Sequence, residues 1–177
     1  MPDEARRRLL QQMNPARPEV EAAVERMKSL SLEARRAAET HIRAESPDFR
    51  PNETLRQEYE PMRWEELQAL SAEVITIGSH TCSHPILPHL NDEDMKREVV
   101  QSREELERRL ERKVEHFSYP NGDKAPRVVE CVRATYRSAV TVQPGFVRRG
   151  EDPHLIPRIP TPRSLAALAW RLCRPGG

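Results

Sequence analysis

After Pro61 the chain alternates short β-branched runs with amphipathic stripes, and that alternation constrains the fold more than any other feature. The run EVITIG, residues 73–78, reads as a buried strand bounded by glycine. Residues 114–119 and 137–142 read as a second and a third strand. Between the first two lies a helix capped by Asn91, with Asp92, Glu93 and Asp94 set against the dipole of its first turn. Met95, Val99, Ser102, Leu106 and Leu110 form its inward stripe. Residues 124–134 predict another helix, with Val128, Val129 and Val132 inward. A short helix carries Trp64, Leu67 and Leu70, and a last one from about Ser164 uses Leu165, Leu168 and Leu172. Strands separated by helical crossovers pair in parallel, so the expected class is α/β. Three strands are few for a parallel sheet and leave edges to be covered, by the N-terminal helices or by further polypeptide.

The first 60 residues follow a different grammar, and the expected division is a helical segment over 1–60 followed by an α/β part over 61–177. Val20, Ala23, Val24, Met27 and Leu30 recur at helical spacing after Pro18, which suits a first helical turn. Ser31 is a candidate cap for a second helix carrying Leu32, Ala34, Ala38, His41 and Ile42. Both stripes are narrow and rich in alanine, so neither helix buries much area alone. Residues 44–61 hold Pro47, Pro51 and Pro61 and read as a linker or ordered loop.

Charge narrows the function classes. The 29 Lys and Arg nearly cancel 28 Asp and Glu, for a formal net charge of +1, so no basic field exists to hold a nucleic acid. No apolar run approaches the ~18 residues that span a bilayer. The opening MPDEARRRLLQQM has arginines without an apolar segment behind them, unlike a signal peptide. The three cysteines, an odd number, argue against a disulfide framework. The chain as given is expected to be soluble, reduced and cytoplasmic.

The densest chemistry is GSHTCSHP, residues 78–85. His80 and His84 follow directly on the first strand, and ligands in parallel α/β folds gather beyond the carboxyl ends of strands. A helical turn would bring positions i and i+4 together on one metal ion; the alternative is a plain polar loop. Gly78 would permit a sharp exit and Pro85 would end the turn. Catalytic zinc normally takes three protein ligands, and Asp123, which also follows a strand, is the most interesting candidate for the third. Cys82 should point away, and His89, Asp92 and Asp94 are better explained as loop and cap. A second cluster, HFSYPNGD over residues 116–123, offers turn chemistry, or else a backbone N–H such as that of Asn121 aimed at an oxyanion, with Tyr119 flanking a substrate ring. A third, LIPRIP over residues 155–160, presents Arg158 as a rigid cation, or as the partner of a surface acid.

Taken in order, MRWEELQAL, EVITIGSHTCSHPIL, HFSYPNGD, ATYRSAVTV and LIPRI resemble the polysaccharide deacetylase family, the NodB-type carbohydrate esterases, from about Met62 to Ile159. The resemblance implies an α/β fold of the distorted (β/α) barrel type, here incomplete and preceded by the helical segment. It further implies a divalent metal, usually zinc, with His80 and His84 as ligands, and an N-acetylated polysaccharide or exopolysaccharide as substrate. Tyr119, Pro120, Asn121 and Arg158 are the implied substrate-binding residues. The family draws its metal aspartate and its general base from one Asp-Asp motif on an early strand; this chain has no Asp-Asp pair, so no catalytic base is assigned. His154 is not a convincing match for the family's late histidine, and Ser118 stands where many members have arginine. Two readings follow: a metal-dependent N-deacetylase lacking its opening segment, or a non-catalytic remnant that binds carbohydrate or a protein partner.

Overall fold

The computed structural model describes residues 17–28, 30–50, 52–162 and 164–173. Residues 1–16 of the expected helical segment, and Pro51, lie outside the described residues. The chain forms two compact units that meet in sequence between Tyr59 and Glu60.

The first unit contains α1 (Arg17–Lys28), α2 (Leu32–Glu45) and α3 (Glu53–Tyr59). Ser31 caps α2 as its side chain implies, accepting from the Ala34 N–H at 3.2 Å. The third helix corrects the reading of residues 44–61 as linker or loop. Its sequence ETLRQEY has no interior proline, and Glu53 favours its first turn. Val20, Val24 and Ile42 remain exposed, as narrow alanine-rich stripes require.

The second unit contains α4 (Trp64–Gln68), α5 (Asp92–Leu110), β1 (His116–Ser118), α6 (Pro126–Thr135), β2 (Ser138–Pro144), β3 (Ile156–Arg158) and α7 (Leu165–Cys173). The strands stand in the order β1-β2-β3 and both pairings are parallel, with Phe117 opposite Ala139 and Val140 opposite Ile156. Asn91 caps α5 through the Asp94 N–H at 2.8 Å. Met95 and Val99 of α5, Phe117 of β1, Val128 and Val132 of α6, and Ala139 of β2 meet in one core with Leu87, Val114, Tyr119 and Tyr136. On α7, by contrast, Leu165 and Leu172 are exposed.

The run EVITIG is not the buried strand its composition predicts. Residues 72–74 form a turn, and one parallel bridge, Ser79 to Phe117, is all that joins the run to the sheet. Val74 is 83% exposed and Ile75 41%. A β-branched run becomes a buried strand only where a neighbour pairs it and a layer covers it, and here the described residues supply one bridge and leave Val74 and Ile75 exposed.

Candidate functional site

The bridge at Ser79 fixes the start of the histidine loop. The Ser79 N–H donates to the His116 carbonyl at 2.8 Å, and the Ser118 N–H donates to the Ser79 carbonyl at 2.9 Å. Gly78 serves this approach rather than a sharp exit, because a β-carbon there would stand 3.0 Å from the His116 carbonyl oxygen. Beneath the sheet the Ser79 hydroxyl lies 2.7 Å from the Ser102 hydroxyl on α5, and Ser102 lies 3.3 Å from the Tyr136 hydroxyl. Burial pushes the Tyr136 phenol above its ordinary range. This buried network ties the residue before His80 to the middle of α5.

His80 and His84 come together with ring centroids 4.8 Å apart and planes at 76°. A helical turn is not what joins them, which corrects the expected geometry. Residues 80–84 form an irregular loop in which Thr81 (φ 71°) and His84 (φ 54°) both occupy the left-handed region. The His84 N–H donates to the Thr81 hydroxyl at 3.0 Å and closes the loop on itself. Pro85 is buried beyond it.

Nδ1 of His80 lies 2.6 Å from the Ser118 carbonyl oxygen. A carbonyl only accepts, so Nδ1 carries the proton, and Nε2 keeps the lone pair that a metal or an acid would use. Both histidines are exposed. Two imidazoles in contact, one with its tautomer set by the main chain, fit two ligands of a divalent metal. No group of three His, Cys, Asp or Glu able to hold a metal occurs among the described residues, so Asp123 does not complete the set. Cys82 turns toward α5, its sulfur 3.9 Å from the Glu98 carbonyl oxygen. Asp92 pairs with Arg127, and Asp94 with Asn91 and Arg97, in keeping with cap roles.

The structure brings the second cluster next to the first, because the Ser118 carbonyl that orients His80 opens the turn Tyr119–Asp123. Pro120–Gly122 is a single 3₁₀ turn with Asn121 at φ 55°, exposed at its tip. Gly122 (φ +77°) cannot be replaced cheaply, since a β-carbon would fall 2.2 Å from Cγ2 of Val142. Tyr119 is corrected outright. It is fully buried, stacks edge-on against Phe117 at 5.4 Å, and donates its hydroxyl to the His154 carbonyl at 3.0 Å, so its ring cannot flank a substrate. Burial foremost, then the Asp152 charge, pushes its phenol up to about 12. Pro120 is buried beside it.

Arg158 ends β3 with its Nε donating to the Thr141 carbonyl at 2.6 Å, while the residue as a whole stays exposed. His154 is structural: it is 6% exposed, with Nε2 at 2.9 Å from the Tyr136 carbonyl. The neighbouring Asp152 is held below the usual carboxylate range by Arg133, then by the His154 N–H.

One residue escaped the sequence. Glu98 is 6% exposed on α5 and its carboxylate accepts from the Cys82 N–H at 2.8 Å, the Ser83 N–H at 2.9 Å and the Ser83 hydroxyl at 2.6 Å. A glutamate beside Val99 on the inward stripe was the available signal, since an unpaired acid is rarely buried.

A family model described as polysaccharide deacetylase matches residues 32–139. Among solved structures, a polysaccharide deacetylase from Bacillus cereus is 26% identical with a TM-score of 0.51, covering 55% of this chain and 32% of its own. The deacetylase PplD of Streptococcus pyogenes, solved in complex with acetate, is 18% identical with a TM-score of 0.53, covering 59% of this chain and 48% of its own. IcaB from Ammonifex degensii is 23% identical with a TM-score of 0.52, covering 61% and 52%. The latter two likenesses speak to the fold alone. The chain thus spans about a third to a half of the length of these solved structures. No curated protein matches it.

Proposed function

Since the chain belongs to the polysaccharide deacetylase family, we propose that it carries the histidine half of a metal-dependent site that removes N-acetyl groups from a polysaccharide or exopolysaccharide. The observation that supports this reading is the contact between the His80 and His84 rings, with Nδ1 of His80 on the Ser118 carbonyl. These two imidazoles would hold the metal, zinc in the first instance. When bound, a divalent metal supplies Lewis acidity toward an amide carbonyl and toward water.

The chain's own residues bind and orient. The Ser118 carbonyl keeps the His80 proton on Nδ1, which leaves the Nε2 lone pair for a metal. Asn121, exposed at the tip of a turn stiffened by Pro120, offers its N–H to an acetyl oxygen on which charge develops. Arg158, anchored by one nitrogen to Thr141, orients a polar group of the sugar with the rest of its guanidinium. Complete hydrolysis further requires a carboxylate ligand and a general base beyond those the described residues bring to the pair.

The test is calorimetric titration of the wild-type chain and of the His80→Ala and His84→Ala variants with zinc. Acetate release from N-acetylglucosamine oligomers is assayed alongside, in the presence of a family segment bearing the Asp-Asp motif. Zinc binding should be lost in either variant, and acetate should appear only when both components are present. Zinc binding undiminished in both variants overturns the reading.

A further inference from the structure

We propose that Glu98 is the positioning residue of the histidine loop: from the buried side of α5 its carboxylate sets the backbone between His80 and His84 and so holds the two rings in contact. The proposal rests on the reading of the pair as metal ligands for its consequence, though not for its geometry. Three of the four polar donors that Cys82 and Ser83 possess, counting the thiol, end on one carboxylate. The fourth, the Cys82 thiol, reaches the Glu98 backbone carbonyl. The loop they belong to needs such a tie, because Thr81 and His84 both hold left-handed backbone that non-glycine residues adopt only under constraint. Glu98 can supply the constraint because it projects from the second turn of a 19-residue helix whose neighbouring Val99 is fully buried. Ser102, one turn further on, holds Ser79 at the entrance of the same loop. Glu98 and Ser102 thus fasten the loop from one helix face, Ser102 at Ser79 and Glu98 at Cys82 and Ser83 between the rings.

The sidedness of this tie matters. The three bonds that define the grip of Glu98 go to Cys82 and Ser83, and through them it acts on the rings by way of the backbone. Glutamine can reproduce the whole pattern, since its carbonyl oxygen accepts both N–H groups and its amide donates to the Ser83 hydroxyl. Alanine removes it and leaves two backbone N–H groups without their acceptor.

The full chain is titrated with zinc alone, and its histidine ring protons and the Cys82 and Ser83 amides are followed by NMR without metal. Glu98→Ala should weaken zinc about 10–100-fold, abolish the nuclear Overhauser contact between the rings, and shift both amides upfield. Glu98→Gln should retain the ring contact and bind zinc within about threefold of wild type. Val132→Ala, a core change on α6, should lower the melting temperature while leaving zinc affinity and ring contact intact. Should Glu98→Ala not fold, Glu98→Asp keeps the charge, falls one methylene short, and carries the same expectation. A folded Glu98→Ala or Glu98→Asp protein with ring contact and amide shifts of the wild type overturns the proposal. If the wild-type chain binds no zinc, the metal reading fails instead, and the metal-free ring contact still decides the role of Glu98.

Discussion

Tyr119 and Gly122 show how one turn is fixed by single residues. Tyr119→Phe removes a buried hydroxyl donated to the His154 carbonyl, and should cost about 1 kcal/mol in urea unfolding at neutral pH. The same hydroxyl gives the fold an alkaline limit. Its folded pKa stands at about 12 against an ordinary value near 10, so on raising the pH the unfolded chain releases this proton first. Its contribution is whole below pH ~10 and falls between about 10 and 12, by roughly 2–3 kcal/mol in all. Unfolding measured at pH 8 and pH 11 should show about half of that loss in the wild type and none of it in Tyr119→Phe. Gly122→Ala meets both a left-handed backbone and the Val142 methyl, and should lower stability by about 1–3 kcal/mol in a thermal melt.

At the scale of elements, the chain's helices follow local rules closely. Asn91→Ala should cost about 1 kcal/mol by removing the cap of α5, read as a lower urea midpoint at unchanged slope. Asn91, Ser31 and the stripe Met95, Val99, Ser102 and Leu110 were legible because capping and 3.6-residue periodicity are properties of the segment itself. Residues 73–78 were misleading for the opposite reason. A strand is made by its neighbours, and β-branched composition states only that the segment would pair if something paired with it. The candidate site divides the same way. His80 and His84 announced themselves by spacing, yet the left-handed residues that join their rings, the carbonyl of Ser118 and the carboxylate of Glu98 depend on tertiary approach. Tyr119 was misplaced because a tyrosine in a turn reads alike whether its ring points in or out.

The whole chain comprises two units and a sheet with one thinly paired flank. Limited proteolysis should cut first near Tyr59 and Glu60, leaving a fragment starting close to residue 60 that is identified by mass and that still melts cooperatively. Val74, exposed on the turn before the Ser79 bridge, adds apolar surface beside that flank. Val74→Lys should reduce self-association in light scattering and leave unfolding free energy within about 0.5 kcal/mol of wild type. The family match, by spanning residues 32–139, crosses the boundary between the two units, so an assay of either fragment alone samples only part of the matched segment.

The oxygen that orients His80 belongs to the main chain. Where an acid or amide side chain does that duty, one nucleotide change can abolish it; a carbonyl is present whatever residue is encoded at position 118. Mutational scanning of that codon should therefore tolerate many replacements, provided they leave the pairing of β1 intact.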